Sequence, residues 1–317
     1  MTRIIAKLFA LTVIFTAFLH VAPLFAAEIP AAFVANNGPG VPPCSSAMPC
    51  SLIGPALGAV DNGGEVICFD STSFVSGGMF ISHSVTIDCP GEFVVINVDN
   101  FAGFILSGTN QVVKIRNLTM SGAEAECCGE FSAVKVTGSG TLILENCVFE
   151  NFDFSTALDI EPTGPLNLVI KNSRISNNGA AGVLIKPAAG GSVTATLDGV
   201  TVTNNAGGLR TDTTNGAVRV DITNSTINNN ANNGLIVIGG AGGQNMVSVG
   251  NGVIASNSQA GIEASGANAA VLVNNTLLDS NVGGAISAVS GGRILTYQNN
   301  RTIGLPGTGF TGTASPN

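Results

Sequence analysis

Residues 220–237, Val220-Asp-Ile-Thr-Asn-Ser-Thr-Ile-Asn-Asn-Asn-Ala-Asn-Asn-Gly-Leu-Ile-Val237, decide the fold. Apolar residues alternate with polar ones in three short runs, and Asn and Gly separate the runs. Period-2 alternation bounded by turn residues reads as strand. The β-branched residues and the Asn/Gly content disfavour helix. The same pattern starts at Val113, Leu142, Leu168, Ala195, Val247, Val271 and Leu295. Its fifth position is Asn117, Asn146, Asn172, Gly199, Asn224, Asn251, Asn275 and Asn299. The steps between these are 29, 26, 27, 25, 27, 24 and 24 residues.

Two further columns follow in each unit. Three residues past the Asn stands an apolar residue: Met120, Phe149, Ile175, Val202, Ile227, Ile254 and Leu278. Six past it stands a second Asn column: Asn178, Asn205, Asn230, Asn257 and Asn281. A Gly and another alternating stretch come next, at Gly182, Gly208, Gly234 and Gly261. A unit of this length cannot bury its own apolar face, whereas stacked units can. The stacked-strand solution is an all-β parallel β-helix rising about 4.8 Å per coil. Asn suits the left-handed geometry of its tight turns, and stacked amides can bond to the coils above and below. Asn172, Asn224, Asn251 and Asn275 are therefore expected to be buried ladder residues, with a local gap at Gly199.

The chain divides into residues 1–27, a signal peptide; 28–60, an N-terminal cap segment; 61–303, the β-helix; and 304–317, a loose Gly/Thr/Pro-rich tail. Arg3 and Lys7 supply a positive n-region, an apolar run extends from Leu8 to Phe25, and Ala26-Ala27 offers a cleavage site. The mature chain would be secreted or periplasmic, with no membrane span. Ser51–Val60 is expected to be a short helix, N-capped by Ser51, that covers the first coil. The 317 residues include 12 basic and 20 acidic side chains, a formal charge of −8, which argues against a nucleic-acid partner. The 45% apolar content excludes a disordered chain.

All seven Cys lie in the first half. Export permits disulfides. Cys44 and Cys50 bracket a short Pro-rich loop and are expected to pair. Cys68 and Cys89 flank one turn of the fold and form a second expected pair. Cys127 or Cys128 could reach Cys147, and the odd count leaves one thiol free. No CxxC pair exists and His83 is the sole histidine beyond the leader, so no metal site is expected from these residues.

The repeat V-x-I-x-N-S-x-I-x-x-N…G-I-x-V, over roughly 110–300, resembles the right-handed parallel β-helix proteins of the pectin-lyase-like superfamily. The front end, Pro43-Cys44 to Pro49-Cys50-Ser51 and then Asp61-Asn-Gly-Gly-Glu-Val, resembles a bacterial secreted subset of it. The fold hosts lyases, hydrolases, esterases, adhesins and inert scaffolds. The resemblance implies that sugar-cleaving sites lie on the face formed by the strands after the Gly column. The outward residues there include Lys135, Asp159, Arg210 and Glu263 in one row, and Glu161, Lys186 and Asp212 in the next.

Asp159, Glu161 and Asp212 could hold Ca²⁺, as a lyase would require, or act as an acid/base pair. Arg210 or Lys186 could abstract a proton beside a uronate carboxylate. Carboxylates two coils apart stand about 9.6 Å apart at the backbone, near the range of an inverting hydrolase. The competing reading is ion-pair ladders on a solvated sheet, both here and along Arg116, Glu145, Lys171 and Asp198. Glu263 stands out as an outward acid flanked by Ile236 and Ser287. The Gly-His-Gly, Gln-Asp-Thr and Gly-Arg-Pro-Trp stretches of the superfamily's hydrolases and esterases are missing, and Tyr297 is the single Tyr or Trp. The resulting expectation is a secreted, monomeric, cofactor-free binding or scaffold protein of the cell envelope or extracellular space, with polysaccharide as ligand. The alternatives are a lyase or hydrolase of acidic polysaccharide using Asp159, Glu161, Lys186, Arg210 and Asp212, and a purely structural surface protein.

Overall fold

The structure is a computed structural model that describes residues 29–36, 38–40, 42–70, 73–76, 78–89, 95–98, 102–122 and 132–314. Each repeat contributes one strand to each of three parallel sheets of 12, 10 and 9 strands. In the opening stretch these are Ala217–Thr223, Thr226–Asn228 and Leu235–Ile238. Each pairs in parallel with the equivalent strand of the next coil, as in Val220↔Val247, Ile227↔Ile254 and Leu235↔Ile262. Val220, Ile222, Ile227, Leu235 and Val237 all point inward and are buried. The result is a right-handed parallel β-helix with one continuous apolar core. The expected alignment holds from Val113 to Val271. It slips by one residue in the last coil, where Val271 faces Ile294 instead of Leu295.

Two corners bend each coil, and both use a residue in the left-handed region. At the corner between the 12- and 10-stranded sheets these residues are Asn117, Asn146, Asn172, Gly199, Asn224, Asn251, Asn275 and Gln298, with φ between +42° and +66°. Asn pays little steric penalty there. The left-handed residue stands on the outside of the bend, and the residue after it turns inward. Leu118, Cys147, Ser173, Val200, Ser225 and Thr276 are accordingly buried. The hydroxyls at this inner position donate to the carbonyl two residues back, Ser173 to Lys171 and Ser225 to Thr223, each at 2.7 Å.

The second corner repeats the device with Asn177, Asn204, Asn229, Ser256 and Ser280 outside. Asn178, Asn205, Asn230, Asn257 and Asn281 are turned inside and buried. Each Oδ1 from Asn205 onward accepts the backbone N–H and the Nδ2–H of the Asn one coil before, at 2.7–3.1 Å. Each Nδ2 also donates to a carbonyl of the preceding coil, such as Ile227 O from Asn257 at 3.2 Å. The buried ladder is therefore the second column. Asn172, Asn224, Asn251 and Asn275, expected to be buried, are exposed. Their amides bond along the surface where they bond at all, as in Asn275 Nδ2 to Asn251 Oδ1 at 2.8 Å. The gap at Gly199 is bridged by its neighbour, since Asp198 Oδ1 accepts from Asn224 Nδ2 at 2.8 Å.

At Gly182, Gly234 and Gly261 the Gly column leaves room for this ladder. A Cβ on Gly234 would stand 2.6 Å from Asn257 Nδ2, and one on Gly261 would stand 2.7 Å from Asn281 Nδ2. At Gly234 the amide a side chain would strike, Asn257, already makes its full set of bonds.

At the N-terminal end a short helix spans Ile53–Ala59. Its N-cap is Leu52, with no side-chain cap bond, instead of the expected Ser51. Ile53, Ala56 and Leu57 cover the end of the core. The 12-stranded sheet already begins at Ala31–Val34, which pairs with Glu65–Cys68. Cys44 is bonded to Cys50, and Cys68 to Cys89, as expected. Cys147 has no disulfide partner among the described residues. Its Sγ sits at the inner corner position and donates to Glu145 O at 3.3 Å and Ile115 O at 3.4 Å. Burial pushes this thiol up to about 12, which leaves it protonated and unreactive. Residues 1–27 and the Cys127-Cys128 segment lie outside the described residues. At the far end, Gly312–Thr313 adds a strand beside Leu295–Thr296, so part of the expected loose tail is paired.

Candidate functional site

The outward row of the nine-stranded sheet runs Lys135, Asp159, Leu184, Arg210, Ile236, Glu263, Ser287, as expected. The charges on it do not form a continuous ladder. Lys135 Nζ bonds Asp159 Oδ2 at 2.9 Å, while Asp159 Oδ1 is buried without a partner. Leu184 separates this pair from Arg210. Glu161 and Lys186, one row over, make no ion pair within 4 Å among the described residues.

Asp212 was expected to face outward beside Lys186. It is instead folded into its own turn and buried. Its Oδ1 accepts the Thr214 N–H at 2.9 Å and the Thr214 hydroxyl at 2.6 Å, and its Oδ2 accepts from Arg210 at 3.0 Å. Burial alone would raise its pKa. The hydrogen bonds from Thr214 and Arg210 outweigh that effect and hold it below the ordinary carboxylate value. The second expected ladder is broken too: among the described residues neither Glu145 nor Lys171 makes an ion pair within 4 Å, and Asp198 is satisfied by neutral side chains of the next coil. Asp198 bonds Asn224 and Thr223, which lower its pKa. Arg116 reaches Asp88 at 3.3 Å and Glu65 at 3.6 Å, away from Glu145.

The second corner and the nine-stranded sheet together form an open groove of about 540 Å³. Its floor is made of small residues, Gly179–Ala181 and Ala206–Gly208, and Arg210, Asn232, Asn233, Gln259 and Glu263 rise around it. The floor is small because the corner turns stack backbone on backbone. Gly207 N–H donates to Ala180 O at 3.1 Å, and a Cβ on Gly208 would stand 2.0 Å from Gly234 O. Asn232 Nδ2 donates to Ala206 O at 2.8 Å. Asn233 ties the Glu263 side chain to the wall, donating to Oε2 at 3.2 Å, while its own Oδ1 accepts the Ala260 N–H at 2.9 Å.

Of the residues singled out from sequence, the groove gathers Arg210 and Glu263. Asp159, Glu161 and Lys186 do not line it, and Asp212 enters only through its pair with Arg210. Asn232, Asn233 and Gln259 were missed, although the polar positions after the second Asn column carried the signal. Asp159, Glu161 and Asp212 do not suit Ca²⁺, since the first is paired with Lys135 and the last is committed to Arg210 and Thr214. Among the described residues no group of three or more His, Cys, Asp or Glu side chains converges as metal ligands. No helix among them is long and apolar enough to cross a membrane.

These features define a stacked-coil β-helix with an amide-rich groove beside its nine-stranded parallel sheet. The family model for the right-handed β-helix region matches residues 102–278, and the chain belongs to that family. No curated protein matches the chain. Two solved structures share its fold. One is the pectate lyase Pel9A, with a TM-score of 0.58 and 16% identity, over 91% of this chain and 79% of that one. The other is the A-module of the Azotobacter vinelandii mannuronan C-5 epimerase AlgE4, with a TM-score of 0.54 and 12% identity, over 80% of this chain and 91% of that one.

Proposed function

We propose that the protein is a secreted, monomeric, non-catalytic polysaccharide-binding protein of the cell envelope or extracellular space, and that the groove is its binding surface. The observation that carries this reading is the state of the groove's charged groups. Arg210 is held by Asp212, and Glu263 by Asn233. A general acid or base needs a free line to the substrate, whereas positioned amides around a shallow floor suit hydrogen bonding to hydroxyls. The two disulfides support export. The fold's likeness to a pectate lyase and a mannuronan epimerase supports a polysaccharide ligand.

A second reading, a lyase or hydrolase, draws on one observation: Arg210 and Glu263 share the groove. The test is to follow unsaturated products at 235 nm, reducing ends and binding in parallel on a panel of polysaccharides. Binding without turnover is the expected result. Turnover that is lost in both Glu263→Gln and Arg210→Ala, with folding intact, would replace the binding reading with the enzymatic one. Neither binding nor turnover across the panel would leave a purely structural surface protein.

A further inference from the structure

We infer that the glycan recognised in this groove is uncharged and stacks a sugar ring on Phe154. The inference rests on the polysaccharide-binding reading and narrows it. Phe154 is 66% exposed. It stands in the corner turn one coil before the groove floor. Gly179 N–H donates to Phe152 O at 2.8 Å, Ala180 N–H donates to Ser155 O at 3.2 Å, and a Cβ on Gly179 would lie 3.1 Å from Phe154 N. From the Phe154 row to the Gln259 row is four coil spacings, about 19 Å at the usual strand separation. Phe154 lies outside the groove's own lining, in the turn stacked beside its Gly179–Ala181 end, while the groove's middle is Gly and Ala and its far end carries the amides of Asn232, Asn233 and Gln259.

Charge selects against a polyuronate. Such a chain carries a carboxylate on every sugar, and each must be paired or left in water when the chain docks. The groove offers a single guanidinium, Arg210, and a buried carboxylate already holds it at 3.0 Å. Glu263 lines the same groove with the opposite sign. The whole chain adds a formal charge of −8, which repels a polyanion at a distance. An uncharged glycan meets none of these penalties. Its apolar C–H face fits an exposed ring, and its hydroxyls fit amides. Among the described residues the Gln259 side chain and Asn232 Oδ1 have no hydrogen-bond partner.

The test measures binding of the mature protein to soluble arabinoxylan, galactomannan and mixed-linkage β-glucan, against polygalacturonate and polymannuronate, by calorimetry and affinity electrophoresis. The expected result is retention by at least one neutral glycan and none by the polyuronates. Phe154→Ala should weaken that binding at least about fivefold, the loss an aromatic stacking contact carries, and Phe154→Tyr should preserve it. Unchanged thermal melting in both variants separates lost contact from lost fold. Tighter binding to a polyuronate than to any neutral glycan would overturn the inference and leave the polysaccharide reading in place. Unchanged affinity in Phe154→Ala would overturn it as well. No binding to any of the five would remove the polysaccharide reading and this inference together.

Discussion

The two Asn columns occupy equivalent places in the repeat and differ in almost every physical respect. At the first corner the Asn is the left-handed residue, exposed, with its amide bonded along the surface. At the second corner a different residue takes the left-handed conformation, and the Asn after it is buried in an unbroken hydrogen-bonded file. The first column is held by backbone conformation and the second by polar satisfaction. A left-handed residue costs a non-Gly, non-Asn side chain about 1–2 kcal/mol. A buried amide strands several partners when it is removed, each worth about 1–3 kcal/mol.

Mutating each column in turn should separate these two energies. Asn257→Ala should have the largest effect, at least about 3 kcal/mol, because Asn230 loses the acceptor of two bonds and Asn281 Oδ1 and Ile227 O each lose a donor. Urea denaturation of variant and parent would measure it, and a cost under 1 kcal/mol would show that the ladder is a consequence of the stack and not a support for it. Gly234→Ala should cost about 1–3 kcal/mol by pressing on the same amide from the neighbouring strand. The double variant should then be less than additive, since the amide that the new methyl would strike is gone.

Asp212 extends the comparison to a carboxylate turned inward. Asp212→Asn should cost about 1–2 kcal/mol at neutral pH through its Thr214 and Arg210 bonds. Its folded pKa lies below the unfolded value, so this contribution is complete above about pH 4 and is lost as the pH falls through the folded value. The stability difference between parent and variant should therefore narrow on acidification. A gap that widens toward low pH would contradict the assignment.

The smallest effects belong to the outer column. Asn251→Ala should cost about 1 kcal/mol for the left-handed φ of 54°, and Asn251→Gly less than about 0.5 kcal/mol. If Gly proved as costly as Ala, the bond from Asn275 Nδ2 would have to carry the difference.

The period, the strand positions from Val113 to Val271 and the inward apolar rows were legible because a solenoid repeats its local sequence at every level of the stack, whereas the strands at Ala31, Glu65 and Val85 carry no such repeat and were not. Val220, Ile222 and Ile227 announce a buried row through period-2 alternation alone. The two disulfides were legible from Cys spacing. The identity of the buried Asn column was not. A left-handed residue at a corner resets the inside/outside alternation, so counting by twos from Ile227 does not carry through Asn229 to Asn230. The slip in the last coil has the same origin, since Gln298 takes the corner that alignment gave to Asn299.

Lys135, Asp159, Arg210 and Glu263 stand in the expected row, and Lys135 pairs with Asp159 one coil on, whereas Asp212 turns inward to Thr214 and Arg210. Pairing opposite charges coil by coil does not see that Thr214, in the same turn, satisfies Asp212, or that the neutral Asn224 of the next coil satisfies Asp198. The groove was invisible for a related reason: its floor is defined by missing side chains at Gly179–Ala181 and Ala206–Gly208, whose meaning depends on the coils standing over one another. By itself, then, the sequence determined the parallel β-helix, its period and its core rows, because those follow from local periodicity. Only the tertiary structure decided which amides are inside, which charges are already satisfied and where a ligand can lie. Those depend on distances between residues about 25 positions apart, which are set when the coils stack.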